Sequence, residues 1–337
     1  MKHLWPHALV LFLCIVFLGV AVGVGPGDID PFHAWGILWH NAFGATEAPV
    51  STATIIVRDL RLPRAILSFL LGGCLGVAGT VTQGLFRNAL AEPGVLGVSM
   101  GAAALAVLGF FWELDSHGLW VKPVLAATGA FITLALLFGL IGNRGNLLAL
   151  LLAGVAIASL CAALITLVLA VQVDRWELGT KVMAWLMGSF EGRGWLHVAW
   201  SIPPTLIGVL LAFWLRKDLD MMHLGVEVAA SLGCRPERTR LLSTICIALL
   251  VGTATALAGV IGFVGLIVPH VARLSVGPLH GRLLSLSLLL GGGVLLAVDT
   301  CTRACTSILL PPGVITSLLG APFFLWLLRR YSRQVSA

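Results

Sequence analysis

The residues to weigh first in this 337-residue chain are those whose types and spacing could do chemistry. Gly97-Val98-Ser99-Met100-Gly101 has the G-x-S-x-G spacing of a hydrolase nucleophile elbow. That motif exposes its serine on a sharp turn between a strand and a helix, with a base and an acid supplied from elsewhere. Here the pentapeptide opens an apolar stretch, and no Asp or Glu is placed to orient a histidine beside it. Small residues at this spacing also let helices approach closely, and the surroundings favour that reading. Nine histidines are scattered without metal-ligand spacing. One of them, His270 in Val268-Pro269-His270, reads as a helix-end hydrogen bonder. Most of the seven cysteines lie in apolar runs and read as small buried hydrophobes. Cys301 and Cys305, four apart, would share one helix face, where a disulfide has poor geometry. No resident metal or cofactor is expected.

Energy-coupling chemistry is equally sparse. The chain has no G-x-x-x-x-G-K-[ST] segment, and none of its four lysines follows a glycine. It therefore has no P-loop with which to hold ATP. Carboxylates inside the membrane are the usual coupling groups of ion-driven carriers. Glu92 and Asp299 are expected at span ends, and no apolar span carries an acid at its centre. This speaks for an energy source supplied by another protein. An ion-coupled secondary transporter and an intramembrane serine hydrolase acting through Ser99 are the two other classes considered.

The elements that must position these residues follow from composition. Hydrophobic residues make up 58% of the chain and charged residues 11%, against about 25% charged in average soluble domains. Apolar runs recur along the whole length, and about 20 such residues make one helical crossing. With no water to satisfy the backbone, helices are the expected element. Ten spans are expected, at roughly 5–24, 62–82, 94–112, 121–141, 147–170, 195–215, 241–260, 263–277, 283–302 and 313–331. The eighth is short and broken by Gly265 and Pro269. The chain is expected to be all-α, a single polytopic transmembrane domain over 1–337, with the N-terminal run read as a first span rather than a signal peptide.

Charge orients it. With the N-terminus inside, 13 of the 21 Lys and Arg fall in cytoplasmic segments, Lys2 and Arg144 among them, against 8 outside. The positive-inside rule then places both termini in the cytoplasm. The net charge of +6 reports topology; nucleic-acid binding is not needed to explain it.

Two hydrophilic stretches interrupt the spans. Residues 171–194 are expected outside, as a connector holding a short surface helix. Residues 216–240 form the longest cytoplasmic segment. There Leu224, Val228 and Leu232 recur every four positions, the mark of a helix with one sticky face. Gly233 suits a helix C-cap, and Pro236 the first turn of another helix. A short amphipathic helix of this kind suits docking to a soluble partner, with a loop lying on the lipid headgroups as the alternative. A faint inverted echo links Leu71-x-Gly73 and Ala78-Gly79 to Leu250-x-Gly252 and Ala258-Gly259. The glycine clusters at 72, 73, 76 and 79 and at 291–293 read as close helix packing.

Several segments together resemble the FecCD family of ABC permeases, which handles ferric siderophores, haem and cobalamin. They are Arg61-Leu62-Pro63-Arg64, QGLFRNALAEPGVLGVSMGAA (83–103), LLLAGVA (150–156), WLMGSFEG (185–192), LGVEVAASLG (224–233), GFVGLIVPHVARL (262–274) and PPGVITSLLGAPFFLWLLRR (311–330). Seven matches in order cover about residues 58–330.

The resemblance implies a type II ABC importer permease fold in the bacterial inner membrane. Two permease copies, as a homodimer, would work with two cytoplasmic ABC ATPase subunits and a periplasmic substrate-binding protein. The permease itself is not an enzyme. Residues 224–233 would be the coupling helix seated in the ATPase, with Leu224, Gly225, Glu227, Val228, Leu232 and Gly233 at the contact. Arg61 and Arg303 would be two exposed cations, set apart, each meeting a glutamate on one lobe of the binding protein. Asn88 and Leu90 would belong to the cytoplasmic gate. The family pattern has proline where this chain has Ala89, which predicts a looser turn. Leu147 and Leu148, where some members carry hydroxyl residues, would make a greasier gate. A metal chelate is the implied substrate, ferric siderophore first, then haem or cobalamin.

Overall fold

A computed structural model describes residues 5–25, 29–43, 51–141, 147–171, 176–305 and 310–335. Lys2 and Arg144 lie outside the described residues, as do the side chains of Cys305, Arg330 and Arg333. Every regular element among the described residues is helical. In order they are α1 (Trp5–Gly23), α2 (Pro31–Phe43), α3 (Thr52–Ile55), α4 (Leu62–Phe86), α5 (Val98–Phe111), α6 (Val121–Ile141) and α7 (Leu147–Val171). Then come α8 (Trp176–Leu186), α9 (Trp195–His223), α10 (Val226–Ser231), α11 (Pro236–Ala258), α12 (Val264–Val276), α13 (His280–Cys305) and α14 (Pro312–Val335). A π-helical turn, Ile56–Arg61, joins α3 to α4, and 3₁₀ turns precede α5 and α6.

Eight of these helices are long and apolar enough to cross a membrane, and α5 and α12 are shorter apolar helices at the third and eighth expected spans. Thirteen or fourteen residues rise only about 20 Å, short of the ~30 Å hydrocarbon core. The connector at 171–194 does contain a short helix, α8. Helix α2 is an addition that hydropathy missed: thirteen residues are too few for a span. Its Phe32, Trp35 and Trp39 remain exposed while Ala34 is buried beside Val22 and Val57.

Burial divides the helices into layers. In the Thr52–Phe86 segment 83% of the most apolar window is buried, and in α11 78%, whereas α1, α7, α9 and α14 reach only 22–33%. Helices α4 and α11 are therefore the inner rods. What allows α4 to be central is its glycine stripe. A methyl group on Gly72 would overlap the carbonyl of Gly291, on Gly76 that of Ser287, and on Gly79 that of Gly265. Backbones in direct contact give the dispersion-driven packing on which helices rely in lipid. The reading of both glycine clusters as packing surfaces holds, and so does that of the G-x-S-x-G pentapeptide. Gly101 and Gly129 appose α5 to α6 in the same way, with Ser99 in the first turn of α5. The two halves of the inverted echo do different jobs: Gly79 seats α12, whereas Gly259 ends α11 at φ +79°.

Candidate functional site

Three groups of polar residues interrupt this apolar bundle. The first lies where α1 ends. The last carbonyls of any helix lack intrahelical partners and carry its partial negative charge. Arg61, delivered by the π-helical turn, donates Nη1 to Val22 O and Gly23 O at 3.2 and 3.0 Å and Nη2 to Gly25 O at 2.9 Å. Arg303, from the end of α13, donates Nη1 to Val24 O at 3.1 Å and both Nη atoms to Ala21 O at 3.3 Å. Its Nε lies 3.2 Å from Asp299 Oδ2. The same carboxylate receives Arg64, with Nε 3.1 Å from both oxygens and Nη2 2.7 Å from Oδ1. Arg64 and Arg303 thus share one fully buried aspartate, and Arg303 and Arg61 share a helix terminus.

This corrects the expectation of two exposed cations set apart. Arg61 and Arg303 are 4% and 7% exposed, and both guanidinium groups lie within van der Waals reach of Gly25. A planar fork of five donors lets each guanidinium satisfy several open carbonyls at once, and the partial negative charge of the helix end offsets part of the desolvation cost. Arg58, in the same π turn, is the outward-facing one, with its side chain 55% exposed and paired to Asp59.

The second group is the turn after α4. Arg87 adopts a left-handed conformation (φ +49°) that ends the helix, with its N–H on Gly84 O and that of Asn88 on Gln83 O. Asn88 Oδ1 accepts from Leu90 N at 2.9 Å, and Asn88 O accepts from Ala91 N. This Asx-type closure holds together the turn that contains Ala89. Asn88 is exposed and Leu90 half-buried; in the neighbouring chain start of α7, Leu147 packs on the core while Leu148 is exposed.

Beyond Leu90 the chain dives back into the bundle. Pro93 packs on Gly265, which itself touches the carbonyl of Leu75. Leu75 is eleven residues before the end of α4, about 16 Å along its axis. Glu92, expected at a span end, is therefore deep in the fold. Its Oε1 accepts from Phe263 N at 2.8 Å. Phe263 is left-handed (φ +65°) and immediately precedes α12. A carboxylate on the open N–H groups of a helix start is electrostatically favourable. Glu92, on the segment that leads into α5, thus ties that segment to the start of α12. The sequence cue was present, an acid beside proline amid apolar residues, but nothing local revealed the partner. His270 also departs from expectation: it is mid-helix in α12, buried, with its ring edge-on to Phe323.

The third group is the 224–233 segment. Regular helix there is limited to α10, with Leu224 at the C-cap of α9 and Gly233 (φ +89°) just beyond α10. Leu224, Val228 and Leu232 are 64%, 46% and 58% exposed. The opposite side, Ala229, is fully buried with Met222 and Cys234. Glu227 lies in the first turn, and Gly225 (φ +115°) makes the bend from α9. Pro236 opens α11 as expected. The segment is amphipathic with its apolar ridge uncovered.

A family model described as the FecCD transport family matches residues 11–330. The cobalamin import system permease protein BtuC of Halobacterium salinarum is 40% identical over 317 residues, 91% of this chain and 83% of that one. The hemin transport system permease protein HmuU of Yersinia pestis is 39% identical over 287 residues, 82% of this chain and 84% of that one. A solved structure described as an inward-facing ABC transporter assigned to the metal-chelate type superimposes with a TM-score of 0.83. It shares 29% identity over 95% of this chain and 97% of that one.

Proposed function

Because this chain belongs to the FecCD transport family, we propose that it is the membrane-spanning permease of an ATP-driven importer for a metal chelate. The observation that carries this reading is the uncovered ridge of Leu224, Val228 and Leu232 on a segment whose other face is locked to α9. A large apolar patch left in water marks a partner site, and the chain has no P-loop of its own. An ABC ATPase seated on this ridge, with Gly225, Glu227 and Gly233 shaping the contact, supplies the energy. The charge balance supports placing the ridge and both termini in the cytoplasm. Asn88 and Leu90 then form the cytoplasmic gate turn. Two copies of the chain around a shared pathway complete the transporter.

At the opposite, periplasmic end, Arg64 and Arg303 meet on Asp299, and Arg61 joins Arg303 at the end of α1. We assign docking of an acidic substrate-binding protein to this region. Arg61 and Arg303 contribute through their field, and Arg58 through direct contact. Such fields steer encounter more than they raise affinity. Among chelates, the relatives' names favour cobalamin and haem, with ferric siderophores a third class.

The test is uptake by proteoliposomes containing the permease, its ATPase and its binding protein, offered radiolabelled cobalamin, haem and a ferric siderophore in turn. ATP-dependent accumulation of one of them is expected. Accumulation driven by a proton or sodium gradient without ATPase would overturn the reading.

A further inference from the structure

A polar cluster at the α10 end of the bundle serves none of the roles above. Asp220, near the end of α9, turns Oδ1 toward the first residue of α13. It accepts from His280 N at 2.9 Å and from His280 Nδ1 at 2.6 Å. His280 is fully buried. Its ring rests on the bare Cα of Gly84, where any side chain would overlap Nε2. That Nε2 has no hydrogen-bond partner among the described residues; the ring is held by contact on this side and by the carboxylate on the other. His223 stacks at 5.4 Å from the ring, and Arg273 donates to Gln83 Oε1 at 3.1 Å.

Each end of this cluster leads to an element with a proposed moving part. Helix α10 is seated, through Ala229 and Cys234, on Met222, two residues beyond Asp220. Asp218 on the same turn accepts from Thr239 Oγ1 of α11 at 3.2 Å, so the end of α9 is tied to both flanking elements. At the other end, the carbonyls of Gln83 and Gly84 accept the N–H groups of Asn88 and Arg87 that close the gate turn. The Gln83 amide donates to Leu266 O of α12 at 3.2 Å. From α10 to Leu90 every step is therefore a buried contact or a hydrogen bond.

We propose that Asp220 and His280 are positioning residues that transmit displacement of the 224–233 segment to the gate turn at Asn88 and Leu90. A close-packed ring on a bare backbone transmits compression, and a carboxylate gripping both the backbone and the side chain of one histidine transmits tension. Neither end can shift without moving α13 and the end of α4 with it. The proposal rests on the permease reading, and its test separates the two.

The assembled permease–ATPase complex, carrying Leu90→Cys, is treated in inside-out vesicles with a membrane-impermeant maleimide, with and without Mg-ATP. The labelling rate in the parent is expected to change at least about fivefold with nucleotide, the low end of typical coupling. No change in the parent would sink the permease reading itself. Asp220→Leu and His280→Ala should erase the nucleotide dependence while ATPase binding and ATP hydrolysis continue. Asp220→Asn, which keeps an acceptor oxygen, should retain most of it. Nucleotide-dependent labelling that survives in both Asp220→Leu and His280→Ala overturns the proposal. Loss of ATPase binding in step with the gate response overturns it too, because that outcome marks a purely structural role. His280→Ala adds no volume, so it keeps the test decisive should Asp220→Leu fail to assemble.

Discussion

Replacing Asp299 by asparagine removes the carboxylate that Arg64 and Arg303 share at the end of α1 while keeping its shape. In the native fold this carboxylate takes Arg64 through both of its oxygens and Arg303 through Oδ2. It is 0% exposed, and the side chains of Arg64 and Arg303 are 14% and 2% exposed. Removing one partner of a buried pair costs about 3–5 kcal/mol, mostly from the charge left behind. Here two cations are left, but Arg303 keeps the α1 carbonyls, so the lower half of that range applies to asparagine and the upper half to leucine. At about 2 °C per kcal/mol for a large domain, the midpoint of thermal unfolding should fall by about 6–10 °C. Size-exclusion chromatography of heated, detergent-solubilised protein measures it. Because the groups touch, Asp299→Asn with Arg64→Met should cost less than the sum of the singles by at least about 1 kcal/mol. A shift of under about 1 °C for Asp299→Asn, or strict additivity in the double variant, would refute the claim that the cluster is an electrostatic knot.

Three further outcomes follow from the geometry. Glu92→Ala should lower stability by about 1–2 kcal/mol through loss of the acceptor for Phe263 N, whereas Glu92→Gln should stay within a few tenths; the same heated chromatography distinguishes them. Gly79→Val drives a side chain into the Gly265 backbone and should abolish recovery of folded protein. Gly94→Ala, with open space around it and no left-handed backbone, should be recovered at parental yield. Val228→Asp with Leu232→Asp should leave the thermal midpoint unchanged but cut co-purification of the ATPase by at least about tenfold, the effect of losing a central apolar anchor.

The parts of this fold that were legible in sequence are those written in local pattern. The first span was expected at 5–24 and is Trp5–Gly23; the eighth was expected at 263–277 and is Val264–Val276. Hydropathy over 13–25 residues is enough for that. The four-residue spacing of Leu224, Val228 and Leu232 correctly foretold an uncovered ridge, although only Val228 sits within regular helix. What sequence could not carry is depth and partnership. Residues 87–93 fall between two expected spans and put Glu92 at a span end, yet tertiary packing pulls it to the start of α12, 171 positions away. Arg61 and Arg303 look like interfacial cations because helix-end arginines usually are. Their burial depends on α1 ending between them, and no periodicity in either segment encodes where another helix stops. The glycines of α4 announced close packing without naming α12 and α13 as the partners.

The clasp on α1 also has a consequence for how the chain is made. The carbonyl of Ala21 waits for a guanidinium 282 residues further along. At about 5–20 residues per second, synthesis of the intervening chain takes roughly 15–55 s. Throughout that interval the end of α1 lacks its Arg303 contacts, while Arg61, 39 positions beyond Val22, is already made. A nascent chain that stops before α13 is complete leaves the Ala21 and Val24 carbonyls without Arg303.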